Sequence, residues 1–324
     1  MKVLVVKLSS LGDVIQTIPV IHDLRQAFPH INIDWVVEES FAPLVQRVNG
    51  VHRVLAIADR RWRKTRLSSK TRIERNAFVN ALQQETYDAV LDFQGLIKSA
   101  LVARRTKITT TGFRATYANG SDACSYEWPV QWMLDRLIPM PQRIHAVARY
   151  RKLAADAMCY TPQATDVYDL QVQKKHQQQA VVFAHGTTRP ENEWPYSNWL
   201  ELGQRMVNQG LQVWIPQAGG EELAMAERLS AAIGPLAIVW PRISLEQVLD
   251  RMACAIGVIG VDSGLSHMAV ALDLPHVQIF SQPRAWRAGP VGRAHQRSIG
   301  GETVPNIDAV WSTWQDVVST KQAR

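Results

Sequence analysis

Short apolar runs alternate with amphipathic stretches along the whole chain, and turn-forming residues separate the two. The first run, Lys2–Lys7, is rich in β-branched residues and is typical of a buried parallel strand. A turn-like cluster follows, and then apolar residues at helical spacing as far as Pro29. The repeated order of strand, loop and helix predicts an α/β protein with a doubly wound parallel sheet.

The same pattern places further elements in both halves of the chain. In the first half it predicts strands at 33–37, 54–57 and 89–93, and helices at 70–86 and from 97. In the second half it predicts strands at 180–184, 211–215, 236–239, 256–261 and 277–280, and helices at 196–208, 220–232, 244–253, 264–272 and from 308.

The polar segment 161–178 breaks this alternation and is interpreted as the link between two domains. The predicted division is a first domain at 1–165, a second domain at 166–307, and a C-terminal helix at 308–324 that packs back on the first domain. Ligands of doubly wound sheets bind at the carboxyl ends of the strands, so two such domains facing each other would form a cleft.

Composition is ordinary for a globular protein. Of the 324 residues, 46% are hydrophobic and 20% are charged, which argues against disorder. No apolar run approaches the roughly 18–20 residues that span a bilayer, and the first residues lack a signal-peptide pattern. The three cysteines, Cys124, Cys159 and Cys254, are sparse and have no metal-like spacing. We therefore expect a cytoplasmic protein.

Positive charge is concentrated in the first half. Residues 1–160 contain 23 basic and 14 acidic residues, a net charge of +9, whereas residues 161–324 contain 13 and 15, a net charge of −2. The densest run is Arg60–Arg66, in which five of seven residues are basic. One interpretation is a solvated surface. The other is a binding surface for nucleic acid, phospholipid or a phosphorylated and carboxylated substrate.

The loop Ser9–Asp13, after the first predicted strand, is the first candidate for chemistry. Gly12 allows a ligand to approach the backbone closely, but the pattern is neither a dinucleotide fingerprint nor a P-loop. Asp13 lies where a helix begins, so it is either a helix-capping residue or a general base.

Two loops in the second half have features of a phosphate site. His185–Arg189 follows a strand and offers hydroxyls and an arginine, although an ordinary turn is an equal interpretation. Gly260–His267 closes an apolar strand and opens a helix, whose first N–H groups attract a pyrophosphate. Glu222 follows another strand and either binds a ribose hydroxyl or complements a helix dipole. No zinc-type cluster is present, so chemistry without a metal is the simpler interpretation.

Together these motifs resemble a known family. Ser9–Val14, the Thr187-Thr188 loop with Trp194-Pro195, and Asp262–His267 are similar to the bacterial lipopolysaccharide heptosyltransferases of glycosyltransferase family 9. The resemblance covers nearly the whole chain in order. Further segments are similar to the type I branch of the family: Asp34–Glu39, Arg60–Lys64, Asp92–Ser99 and His145–Val147.

The resemblance implies a GT-B fold, in which two Rossmann-like domains face a central cleft, and an inverting transfer of heptose from ADP-heptose with no metal and no cofactor. Asp13 would be the general base on a hydroxyl of Kdo in Kdo-lipid A. The implied donor residues are Thr187, Thr188, Arg189, Glu222, Asp262, Ser263, Gly264 and His267. The implied acceptor residues are Ser10, Gly12, Arg60, Arg61, Arg63, Lys64, Gln94, Lys98 and Arg143.

One position departs from the family. A lysine two residues before Trp194-Pro195 usually meets the diphosphate, and Asn192 occupies that position here. A neutral amide does not neutralise a leaving ADP as an ammonium does. We therefore expect Arg189 or a nearby basic side chain to supply the charge.

The expected partners are ADP-heptose, Kdo-lipid A and the anionic cytoplasmic face of the inner membrane, on which a monomer would dock peripherally because its acceptor is held in lipid. Two other functions stay open. One is a type II heptosyltransferase, which uses an already heptosylated acceptor, and the other is a non-catalytic nucleotide-sugar-binding protein. Nucleic-acid binding is disfavoured, because none of the common recognition motifs is present.

Overall fold

The computed structural model describes residues 1–122, 124–173 and 176–322. They form two compact units, Met1–Gln171 and Val172–Arg324. The division between the units lies six residues after the predicted boundary at 165, within the polar segment that interrupts the sequence pattern.

The first unit is built on a sheet of six parallel strands. The strands are β1 (Lys2–Val6), β2 (Asn32–Glu38), β3 (Val51–Ile57), β4 (Thr86–Asp92), β5 (Lys107–Tyr117) and β6 (Arg136–Ile138). The helices are α1 (Leu11–Ala27), α2 (Ala42–Val45), α3 (Asp59–Lys64), α4 (Ser69–Leu82), α5 (Ile97–Arg104) and α6 (Ala146–Met158). The order in the sheet is β3-β2-β1-β4-β5-β6.

The second unit repeats this plan. Its strands are β7 (Ala180–Ala184), β8 (Gln212–Ile215), β9 (Ala237–Val239), β10 (Gly257–Val261), β11 (His276–Phe280) and β12 (Gln296–Gly300). Its helices are α7 (Tyr196–Asn208), α8 (Gly220–Ile233), α9 (Leu245–Met252), α10 (Gly264–Ala271), α11 (Ala285–Ala288) and α12 (Ile307–Gln322). The sheet order is β12-β11-β10-β7-β8-β9, which is the first order read from the opposite edge.

Both sheets therefore have the Rossmann order, in which the direction of crossover reverses once. The reversal lies between β1 and β4 in the first unit and between β7 and β10 in the second. Almost every residue of these four strands is buried, because helices cover both faces of a parallel sheet. Their continuous apolar character is what makes them visible in the sequence.

Three strands are absent from the sequence-based prediction. β5 includes three consecutive threonines and is partly exposed along most of its length, and β6 has only three residues. β12 lies at a sheet edge and four of its five residues are at least partly exposed. None of the three gives a clear apolar run, because an edge or half-exposed strand buries little surface.

The C-terminal helix belongs to the core of the second unit. α12 buries its apolar side there, and its predicted packing on the first domain stays a prediction. Val310, Trp314 and Val317 belong to that core, and the indole of Trp314 lies beside Gly257 of β10. No helix within the described residues combines the length and the apolar character needed to cross a bilayer.

A buried ion pair joins the first and last helices of the first unit. Arg151 of α6 donates to both carboxylate oxygens of Asp23 in α1, at 2.6 and 2.8 Å, and also to Asp166 at 2.5 Å. Asp23 is 2% exposed. A carboxylate that is removed from water in this way depends on its partner for compensation.

We expect Arg151→Met to lower the free energy of unfolding by about 3–5 kcal/mol, because it leaves the Asp23 carboxylate buried and unpaired. The matched control is Lys152→Met, which removes the exposed pair with Asp156 on the same helix and should cost about 0.3–0.5 kcal/mol. Urea unfolding of the three proteins measures both values. Equal losses in the two variants would contradict the assignment of a buried pair.

Candidate active site

The loops after β1 and β4 meet at the strand-order reversal of the first unit. The side-chain oxygen of Gln94, just after β4, accepts hydrogen bonds from the backbone N–H groups of Leu8 and Ser9, both at 3.2 Å. Gln94 is buried. This predicted acceptor residue therefore hydrogen-bonds the start of the Ser9–Asp13 loop and fixes its position.

Asp13 lies in the first turn of α1 with both carboxylate oxygens engaged. Its Oδ2 accepts from the backbone N–H of Ser10 at 3.1 Å and from the Ser10 hydroxyl at 2.9 Å. Its Oδ1 accepts from the Tyr150 hydroxyl of α6 at 2.8 Å. Asp13 thus caps the helix, with Ser10 at the N-cap position, while the side chain stays partly exposed and held in one orientation.

Two buried titratable residues, Lys7 just after β1 and Asp92 at the end of β4, lie near this carboxylate. The Lys7 ammonium donates to the carbonyl of Phe93 at 3.1 Å and sits 4.7 Å above the ring of Tyr150. Burial lowers the pKa of Lys7 to about 8, against the opposing attraction of Asp13 and Asp92. Burial likewise raises the pKa of Asp92 to about 6, although the backbone N–H of Gln94 donates to it. Burial therefore shifts the two pKa values in opposite directions and favours the uncharged form of each group.

The basic run is partly compensated by nearby carboxylates. Arg61 pairs with Glu39 at 3.0 Å and with Glu74 at 2.7 Å, and Arg63 pairs with Asp59 at 3.0 Å. These pairs are exposed, so each contributes little to stability, but they hold the two guanidinium groups in local contacts. Two of the four predicted acceptor cations of this run thus have carboxylate partners within the unit.

The remaining predicted acceptor residues are spread over three elements. Arg60 and Lys64 are exposed on α3, and Lys98 is half-buried in the first turn of α5. Arg143 is exposed in the loop that precedes α6, and Gly12 lies in the first turn of α1. Within the predicted acceptor set, side-chain hydrogen bonds bring Ser10 to Asp13 and Gln94 to the same loop.

The second unit has an equivalent junction after β7 and β10. The Thr187 hydroxyl, in the loop after β7, donates to the carbonyl of Asp262 at 3.3 Å and accepts from the backbone N–H of Arg189 at 3.3 Å. Ser263 is the N-cap of α10 and its hydroxyl accepts from the N–H of Ser266. Gly264 begins this helix, so its first N–H groups lie beside the threonine loop.

The Asp262 carboxylate is the centre of this junction. The Asn192 amide donates to its Oδ2 at 3.4 Å, and the Gln278 amide of β11 donates to its Oδ1 at 3.4 Å. His267 Nε2 lies 3.6 Å from the same Oδ1. Asn192 is 3% exposed, whereas Thr188 and Arg189 are exposed. The amide at the family's lysine position is therefore used inside the protein, to hold Asp262.

Glu222 is held at the start of α8. Its Oε2 accepts from the backbone N–H of Ala218 at 3.1 Å, and its carbonyl contacts a ring nitrogen of His185 at 3.2 Å. A Cβ on Gly186 would overlap the Glu222 carboxylate. Glycine at 186 is thus what lets the loop after β7 approach Glu222.

Three contributing side chains are missing from the sequence analysis. Lys7 ends the first apolar run and Gln278 interrupts a buried apolar strand, so each was visible as an isolated polar residue. Tyr150 gives no such signal, because its contact with Asp13 spans 137 residues. The loop after β11 was missed as well: the Ser281 hydroxyl donates to the carbonyl of Glu193 at 3.0 Å, which joins that loop to the one carrying Asn192.

The model of glycosyltransferase family 9 (heptosyltransferase) matches residues 75–308, which is most of the chain. The chain belongs to glycosyltransferase family 9. The match includes every donor motif of the second unit, while Asp13 and the basic run of α3 precede it.

Individual relatives extend the similarity of this family 9 member to nearly the whole chain. Lipopolysaccharide heptosyltransferase 1 of Salmonella typhimurium is 37% identical over 317 residues, which cover 95% of this chain and 98% of that protein. The structure of E. coli heptosyltransferase WaaC with ADP has a TM-score of 0.87 at 33% identity and covers 98% of this chain and 100% of its own.

A second structure, E. coli heptosyltransferase WaaC with ADP-2-deoxy-2-fluoro heptose, has a TM-score of 0.81 at 33% identity and covers 97% of this chain and 99% of that one. Together with the two Rossmann-type sheets, these neighbours show that the fold of this family 9 member is GT-B.

Proposed function

We propose that this family 9 enzyme transfers heptose from ADP-heptose to a hydroxyl of Kdo in Kdo-lipid A, during assembly of the lipopolysaccharide inner core. The reaction inverts the anomeric carbon and uses no metal. The observation that carries the proposal is the Asp13 carboxylate, which three hydrogen bonds hold in place at the strand-order reversal of a chain similar to lipopolysaccharide heptosyltransferase 1 over 95% of its length.

Asp13 acts as the general base. As the acceptor oxygen attacks the anomeric carbon, its proton passes to the carboxylate, the new carbon–oxygen bond forms, and the bond to the diphosphate breaks with its electrons on ADP. Attack from the face opposite ADP inverts the centre and needs one basic carboxylate. Tyr150 and Ser10 are positioning residues, because their hydroxyls fix the orientation of that carboxylate.

The second unit binds the donor and stabilises the leaving ADP. The first N–H groups of α10, with the hydroxyls of Ser263, Thr187 and Thr188, surround the diphosphate oxygens. His267 and Asp262 complete that site, and Glu222 binds a ribose hydroxyl. Preorganised donors of this kind stabilise developing negative charge without reorganisation.

The first unit binds the acceptor through its positive surface. Arg60, Lys64, Lys98 and Arg143 face the carboxylates and phosphates of Kdo-lipid A, with Arg61 and Arg63 on the same surface, although Glu39, Glu74 and Asp59 compensate their charges. The protein acts as a monomer in the cytoplasm, in peripheral contact with the anionic face of the inner membrane, because the acyl chains of its acceptor remain in the bilayer.

Product analysis tests the substrate assignment. The purified protein is incubated with ADP-heptose and either Kdo-lipid A or the same acceptor already carrying one heptose, and products are identified by mass spectrometry and by the anomeric configuration in NMR. We expect a single inverted heptosyl product from Kdo-lipid A. Turnover of the heptosylated acceptor alone identifies a type II enzyme, and binding of ADP-heptose without turnover identifies a non-catalytic protein.

Removing the base should abolish transfer and leave the donor site intact. We expect Asp13→Asn to lower kcat by about 10²–10⁴-fold, with an unchanged Kd for ADP-heptose by calorimetry. The matched control, Asp156→Asn on α6, removes an exposed carboxylate and should keep wild-type kinetics. Near-normal turnover of Asp13→Asn would reject Asp13 as the base.

Arg189 should supply the positive charge that Asn192 lacks. We expect Arg189→Ala to raise the donor KM and lower kcat, each by about tenfold, because a charge-assisted hydrogen bond to the leaving diphosphate is lost. Arg297→Ala, in the edge strand β12, is the control and should leave both parameters unchanged. Wild-type kinetics for Arg189→Ala would refute the compensation.

A further inference from the structure

An exposed face of the first unit combines large apolar side chains with cations. It consists of one side of α5 and the turn at 128–132, and its members are Ile97, Lys98, Leu101, Arg104, Trp128 and Trp132. We call this set the aromatic–basic patch. Apart from Lys98, no predicted site residue belongs to it.

The outward side of α5 is unusual for a surface helix. Residues 97, 98, 101 and 104 fall within an arc of about 120° of the helix, while Ser99, Ala100 and Ala103 face the interior. The outward side of a helix normally carries polar residues. Here Ile97 is 38% exposed and Leu101 is 44% exposed, each beside a lysine or an arginine.

Two tryptophans extend this face. Trp128 is 57% exposed and Trp132 is 71% exposed, and their rings meet edge to face with centroids 4.6 Å apart. Each ring therefore supports the other in an exposed position instead of entering the core. Indole rings are enriched where a bilayer meets water, because they combine a large apolar surface with one hydrogen-bond donor.

Hydrogen bonds join the two parts of the patch at both ends of α5. The Glu127 carboxylate, just before Trp128, accepts from the backbone N–H of Ile97 at 2.6 Å. The Arg104 guanidinium donates to the carbonyl of Met133, just after Trp132, at 3.3 Å. The helix and the tryptophan turn therefore present a single surface, and Glu127 is its one acidic neighbour in these contacts.

We infer that the aromatic–basic patch is the surface by which this protein docks on an anionic phospholipid bilayer. The tryptophan pair, with Ile97 and Leu101, enters the interfacial layer, while Lys98 and Arg104 extend toward the lipid phosphates. A second copy of the chain fits less well, because a two-fold interface would set the same cations against each other. The inference rests on the proposed function, since it explains how a soluble fold reaches a lipid-anchored acceptor.

The test measures binding of the full chain to vesicles that contain no acceptor, so that it does not depend on transfer. Flotation compares phosphatidylcholine vesicles with and without phosphatidylglycerol, at low and high salt. We expect binding that requires phosphatidylglycerol and weakens with salt. The Trp128→Ser/Trp132→Ser double variant should bind at least about tenfold more weakly, with an unchanged melting temperature.

The comparison variant is Leu67→Ser/Ile73→Ser, which removes two exposed apolar side chains that flank the other basic region of the same unit. It should bind vesicles like the wild type. Binding that is lost in this variant and kept in the tryptophan variant overturns the proposal, as does a wild-type protein that does not bind. A dimer that dissociates in the tryptophan variant assigns the patch to a second copy and also overturns it.

Activity separates this inference from the proposed function. On a water-soluble Kdo acceptor without acyl chains, the tryptophan variant should keep wild-type kcat and KM. On Kdo-lipid A embedded in vesicles, its KM should rise by about the same factor as the loss of vesicle binding. If the wild type transfers heptose to neither acceptor, the proposed function is refuted. The vesicle-binding result then still decides whether the aromatic–basic patch binds a bilayer.

Discussion

Parallel strands whose crossovers run in opposite directions leave a gap between the two loops that follow them, and each unit of this protein has one such gap. Loops elsewhere along the sheet are covered by the next crossover helix. In the first unit the gap brings Gln94 to the loop that carries Asp13, and in the second it brings Thr187 to Asp262. The chemistry of both units depends on this single constraint of topology.

The central strands and most helices could be predicted because burial on both faces leaves a continuous apolar run. Helix α7 is observed at the residues predicted for it, and α5 begins at Ile97 as predicted. β5, β6 and β12 could not be predicted, since edge and half-exposed strands lack that signal. The contacts of the C-terminal helix in the core of the second unit could not be predicted, because an apolar stripe shows that a helix is packed but does not identify the surface it packs against.

The candidate site likewise contains residues that the sequence could predict and residues that it could not. Residues in the loop or first helical turn after a strand, such as Asp262 and Asp13, could be found from the sequence because their position relative to the strand is local. Tyr150 could not, because only the packing of α6 against α1 brings it to Asp13. Nor could the sequence show that Asn192 is buried against Asp262, or that Arg61 is shared between two glutamates.

The charge of the first half of the chain is less available than its total of +9 indicates. Arg151 is used to hold α6 against α1, and Lys7 is buried near the Asp13 carboxylate. The cations that remain for a ligand are those on exposed elements such as α3 and the outer side of α5. Where a cation lies in the fold therefore matters more than how many the sequence contains.

The contacts between α1 and α6 also determine when the first unit can complete its fold during synthesis. The partner of Asp23, Arg151, lies 128 residues further along the chain, and the partner of Asp13, Tyr150, lies 137 residues further along. At about 5–20 residues per second, α6 emerges on the order of ten seconds after α1. During that interval the nascent chain has both carboxylates but neither the Tyr150 phenol that contacts Asp13 nor the Arg151 guanidinium that contacts Asp23, so the first unit cannot complete these contacts until its last helix is made.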